Sequence, residues 1–229
     1  MSLNWILFFP ALLLLFYPLE LLLPKHFGLK ELPYIDFGEA GARRRAPWSI
    51  PALWSDGIRS FAGGFMLRSA WHLEAGVRGL YQAPVVASLL ILSLSILVQM
   101  HTRRKDDRFI APVAFVIGLW LALLPASVAL VAVAAGGVCM VAMRSLTAFF
   151  FCGAVAVGIF GYGALHAGYW ALAAAVLGVM PCLISLLARR RLAVPVRVEV
   201  VTARARDIGM GDLLRINEAD NSRSDGLRF

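Results

Sequence analysis

From residue 110 to residue 187 the chain runs for 78 positions with a single formally charged side chain, Arg144. A bilayer asks for about 20 consecutive apolar residues per helical crossing, and a water-soluble core has no use for a run this long. Charged residues make up 16% of the 229-residue chain and hydrophobic residues 60%. Soluble domains carry about 25% charged residues, so the composition excludes them. The sequence predicts an all-α polytopic integral membrane protein with about six transmembrane helices. It adds an interfacial amphipathic helix in the first loop and a short β-hairpin-like C-terminal tail.

The apolar block divides at its punctuation. Pro125 lies near the middle of 110–143, where proline breaks the helical hydrogen-bond ladder and either kinks one helix or turns a hairpin; parity with the basic clusters on either side favours the hairpin. The first arm, 110–124, reaches only ~22 Å at 1.5 Å per residue and calls for local thinning of the bilayer or shelter by neighbouring helices. A second hairpin follows over 146–165 and 169–187. Ahead of the block, 3–23 and 84–100 are two further apolar runs. The first lacks the basic n-region and small-residue cleavage site of a signal peptide and is read as a retained anchor.

Between these two runs lies 24–82, with eight Lys and Arg against five Asp and Glu. Its second half recovers helical spacing. Asp56 is a suitable N-cap, and Ile58, Phe61, Ala62, Phe65, Ala70 and Leu73 recur at intervals near 3.6. Arg59, Arg68 and nearby tryptophans make this stretch, 56–73, an expected interfacial helix.

Positive clusters at 43–45, 103–105 and 189–191 set the expected topology. Cytoplasmic segments collect Lys and Arg. Placing 103–105 and 189–191 inside gives six crossings with both termini cytoplasmic, in a bacterial inner membrane. The parts are then a 1–23 anchor, an extracytoplasmic 24–82 loop, an 83–188 bundle and a cytoplasmic 189–229 tail. The weak point is Arg43, Arg44 and Arg45, which this arrangement leaves outside. The net charge of +8 is assigned to anionic lipid headgroups and topology, not to nucleic acid, because no aromatic-interleaved basic surface accompanies it.

Small residues recur four apart at Ala132 and Gly136, Ala154 and Gly158, Ala171 and Ala175, and Ala174 and Gly178. Such pairs let helices approach closely within a bilayer, either inside the chain or against a subunit. Glu20 and Arg144 are the polar groups at or near the spans and are candidates for a role beyond packing. His166, beside Tyr162, Tyr169 and Trp170, is a candidate cofactor ligand from a helix end, and no particular cofactor is indicated. Cys139, Cys152 and Cys182 form no CxxC pair and behave as small hydrophobes. No histidine, cysteine or carboxylate spacing matches a metal motif. After Arg191, Val194, Val196, Val198 and Val200 alternate with polar residues as a strand does, and 213–216 is a possible returning strand. An isolated hairpin is only marginally stable, so this tail calls for something to extend its sheet.

These readings lead to a non-catalytic membrane subunit that scaffolds or stabilises a larger membrane complex, with other integral membrane proteins and lipids as partners. A small-solute or ion permease is the alternative. A lipid-modifying enzyme working through the first loop, with His72 and Glu74 as its candidate groups, is a third.

Overall fold

The structure is a computed structural model that describes residues 2–17, 34–35, 51–72, 82–102, 108–164 and 168–195. In chain order it contains β1 (Ser2–Leu3), α1 (Trp5–Phe16), β2 (Tyr34–Ile35), α2 (Pro51–Ser69), β3 (Trp71–His72), α3 (Gln82–Thr102) and β4 (Arg108–Ile110). There follow α4 (Val113–Leu123), α5 (Ala126–Met143), α6 (Leu146–Ala156) with a π-helical continuation (Val157–Ala164), α7 (Gly168–Leu187) and β5 (Arg191–Pro195). Four helical segments are long and apolar enough to cross a membrane: Gln82–Thr102, Ala126–Met143, Leu146–Gly163 and Gly168–Leu187. The apolar helices α1 and α4 are shorter.

Helix ends follow local chemistry. Asn4 caps α1 by accepting from the Ile6 amide at 3.0 Å. Prolines end two helices: Tyr17, before Pro18, and Leu124, before Pro125, are both extended because a following proline disfavours the helical region. Between α5 and α6, Arg144 adopts the left-handed conformation at φ 49°, and the Ser145 amide bonds back to Met140 O.

The seven helices alternate in direction. Asn4 N donates to Ala70 O and β1 pairs antiparallel with β3, so α1 runs against α2. The C-terminal part of α3 meets the same end of α1, where Gln99 donates to Leu15 O, and its N-terminal part meets Trp71 through Ser88. Hence α3 runs parallel to α1. Gly57 lies against Ala114 and Gly64 against Ala122, which makes α2 and α4 parallel. Gln82 at the start of α3 bonds to Tyr169 at the start of α7, and β4 and β5 beyond their far ends pair in parallel.

The direction of α3 differs from the one expected for six crossings. That arrangement requires α1 and α3 to run in opposite directions, and they run in the same one. The physical reason is α2, a 19-residue helix lying lengthwise between α1 and α4. Consequently β1 and β5 sit at opposite ends of the bundle, where the expectation put both termini on one side. The helix expected over 56–73 starts at Pro51, a residue suited to the first helical turn, and Asp56 lies inside it and is not its cap. At the other end of the chain, β5 is the middle strand of a three-stranded sheet, flanked by β2 and β4. The strand signal near 194 thus finds its partners in two distant segments; the expected return strand at 213–216 lies outside the described residues.

The core is centred on α4, whose Phe115, Val116, Leu119 and Trp120 are fully buried. Buried along most of its length, with Leu121 exposed, this helix of 11 residues is sheltered chiefly by its neighbours. Trp120 stacks on Phe149 with centroids 6.0 Å apart and donates from Nε1 to Ala174 O at 3.0 Å. Gly153 and Gly178 form its slot; a Cβ at Gly178 would stand 2.7 Å from the indole. On the opposite side of α4, Gly118 faces Gly57 O and Ser60 Oγ so closely that a Cβ has no room.

Gly118→Ala therefore forces two backbones apart and destabilises the fold by ~1–3 kcal/mol or more. At Gly137 an added Cβ meets nothing within 4 Å. Thermal unfolding in detergent should show a clear loss for Gly118→Ala and none for Gly137→Ala. Equal melting of the two variants would refute the close approach of α2 and α4.

Candidate functional site

Helix α2 turns its polarity inward. Asp56, Arg59 and Ser60 are buried, with Gly63, Gly64 and Leu67 on the same side. Trp54, Ile58, Phe61 and Phe65, spaced four, three and four apart, are exposed. Spacing of three and four places residues on one helical face, so the two sets form opposite stripes.

On the inner stripe, Arg59 and Asp56 form an ion pair at 3.0 Å, with side chains only 5% and 1% exposed. The Arg59 guanidinium also donates to Tyr17 O, just past the end of α1, and lies over the Phe115 ring at 5.6 Å. Removing both charges from water carries a desolvation penalty of several kcal/mol per ion, which their attraction and further hydrogen bonds must offset. Arginine suits the position because its planar fork serves a carboxylate, a carbonyl and an aromatic face together. Close by, the fully buried Gln99 donates from Nε2 to Leu15 O at 3.2 Å. Its Oε1 meets no hydrogen-bond partner among the described residues.

A second arginine repeats the arrangement at the opposite end. Arg68 donates to Leu123 O at 3.0 Å and to Ala122 O at 3.4 Å, the closing carbonyls of α4, and lies over Trp170 at 5.6 Å. The last carbonyls of a helix have no partner within it and carry the negative end of its dipole. Arg59 and Gln99 satisfy that end of α1, and Arg68 satisfies that end of α4. Ser60 is turned back onto Gly57 O at 3.0 Å.

The residues singled out from sequence are dispersed. Glu20, His166 and Glu74 lie outside the described residues, and of His72 only the backbone is described, in β3. Arg144 is exposed in the α5–α6 turn. The small residues line seams within the chain. Ala132, Ala171 and Ala174 are fully buried, a Cβ at Gly136 would stand 2.7 Å from Phe149 O, and one at Gly178 would stand 3.1 Å from the Ala154 methyl. Ala175 is partly buried against the core. Gly158 differs, because nothing lies within 4 Å of its Cβ direction. Among the described residues, no three His, Cys, Asp or Glu side chains gather as a metal site would require.

What the sequence reading missed is the set Asp56, Arg59, Arg68, Gln99 and Trp120. Asp56 and Arg59 carried a signal: with the small residues they share one face of 51–69, while the aromatics share the other with Arg68. Gln99 and Trp120 carried none, since their partners lie far away in the chain.

Breaking the buried pair from one side leaves an uncompensated charge. Asp56→Asn and Arg59→Gln are each expected to destabilise the protein by ~3–5 kcal/mol. The Asp56→Asn, Arg59→Gln double variant should lose clearly less than the sum, as read by a double-mutant cycle of unfolding in mixed micelles. Strict additivity would show that the two side chains do not interact. Comparison with protein-family models, with curated proteins and with solved structures finds no match for this chain.

Proposed function

We propose that the chain is a non-catalytic, multi-pass subunit of a bacterial inner membrane that scaffolds or stabilises a larger membrane protein complex. The observation that carries this reading is the use of the interior polar side chains. Arg59, Gln99 and Trp120 are buried and each donates to a backbone carbonyl of another helix or its end, and the exposed Arg68 does the same at the end of α4. The groups with chemical capability thus serve architecture, and the bundle is tied together from within. Its exposed side chains include many large apolar ones, among them Ile6, Phe9, Leu90, Val138, Ile159 and Leu186. A protein built this way acts through its surface.

One observation favours a permease as the second reading. Asp56, Arg59, Ser60 and Gln99 are all buried, and Arg59 and Gln99 reach the same end of α1. Buried ionisable groups in a membrane bundle are a common sign of a solute or ion path.

The two readings separate on purification and transport. Mild extraction from the native membrane should recover the 25.0 kDa chain with a stoichiometric integral membrane partner, in a particle larger than one copy in its micelle. Recovery as a folded, monodisperse single copy would contradict the scaffold reading. Solute counterflow in proteoliposomes that Asp56→Asn abolishes, while the variant stays folded, would establish the permease instead.

A further inference from the structure

We propose that α2 crosses the membrane, its outer face of Ile58, Phe61 and Phe65 covered by bilayer hydrocarbon, so that the chain crosses seven times and the two ends of the described bundle lie on opposite sides. This inference is independent of what the protein assembles with or transports.

The polarity of α2 is the first ground. In water a helix buries its large hydrophobes and leaves charges outside. Here Ile58 is 67% exposed and Phe65 55%, while Asp56 is 1% exposed and Arg59 6%. Hydrocarbon is the surrounding in which this ordering is favourable, because intramembrane charges face the bundle and pair there. Length is the second ground: 19 residues rise ~28 Å, close to the ~30 Å hydrocarbon thickness.

Alignment is the third. A helix lying in the interface crosses its upright neighbours at one point. By contrast, α2 follows α4 from Gly57 at Ala114 to Arg68 at Leu123, and follows α1 from Arg59 at Tyr17 to Ala70 at Asn4. The contacts are spread along almost its whole length. It therefore shares the inclination of α4, which packs antiparallel to α7 with Trp120 opposite Ala174 and Gly178.

Charge is the fourth ground. Three connections, 18–50, 103–112 and the Arg144 turn, join helix ends at the end of the bundle where β2, β4 and β5 lie. They hold ten Lys and Arg, and Arg189, Arg190 and Arg191 follow α7 at that same end. The connections at the other end, 70–81, 124–125 and 165–167, hold only Arg78. Thirteen against one is a decisive positive-inside asymmetry, and it places the β2–β5–β4 end in the cytoplasm. The six-crossing arrangement leaves the five basic residues of 18–50 outside; a crossing by α2 brings them in.

The test combines depth with sidedness. With Cys139, Cys152 and Cys182 replaced by serine, spin labels at Ile58→Cys and Phe65→Cys in liposomes should collide with oxygen and be shielded from a water-soluble nickel chelate. Collision with the chelate, or shielding from both, would overturn the proposal, the latter by showing that protein and not lipid covers the face. Independently, trypsin added to the unmodified chain in oriented vesicles should cut at 43–45 and at 103–105 from one and the same face. Cutting from opposite faces would overturn it without any variant.

Discussion

Backbone carbonyls at the end of a helix need donors, and in hydrocarbon no water can supply them. Helices α1 and α4 have 12 and 11 residues and end inside an apolar bundle, so both present this difficulty. Helix α2 answers it for both. It runs against α1 and along α4, which brings the closing turns of the two helices to different levels of α2. Arg59 reaches the end of α1 and Arg68, nine residues on, reaches the end of α4. The remaining requirement at Arg59, a counter-charge, is met by Asp56 one turn earlier. The buried Asp56–Arg59 pair thus follows from the need to finish a short helix away from water.

The close fit around α2 and α4 has the same origin. Guanidinium groups reach neighbouring carbonyls only when the helices lie near each other, and Gly57, Gly64 and Gly118 permit that approach. On its far side α4 is held by Trp120, whose indole occupies a slot bounded by Gly153 and Gly178 and bonds to Ala174 O. The small-residue pattern of α5, α6 and α7 is therefore used chiefly inside the chain, to seat an aromatic side chain and to join α5 to α6 and α6 to α7.

The 110–187 block was legible because its information is local. Pro125 breaks the chain within two residues of where the arms part, and Arg144 lies in the tight α5–α6 turn. Helix α2 was read as an interfacial helix, and it packs lengthwise between α1 and α4. Ile58, Phe61 and Phe65 follow a helical period, and periodicity alone does not tell whether the apolar stripe meets protein or lipid. Omitting one lengthwise helix reverses the inferred direction of α3 relative to α1. The site was illegible for a different reason. Arg59 meets Tyr17 and Gln99 meets Leu15 across 42 and 84 positions, and the sequence contains no repeated spacing that would pair them. Likewise the strand pattern near 194 was visible, while its partners at 34–35 and 108–110 were not.

The central claim is that α2, interposed lengthwise, makes α1 and α3 run in the same direction. Pulsed electron–electron distance measurements between spin labels test it most directly. Labels at the exposed positions Ile6 and Val86 lie at the same end of the bundle, whereas Ile6 and His101 lie toward opposite ends. The account predicts that the 6–101 distance exceeds the 6–86 distance by up to ~22 Å, the rise of the 15 helical residues between Val86 and His101. A shorter 6–101 than 6–86 distance would mean that α1 and α3 are antiparallel, and would contradict it.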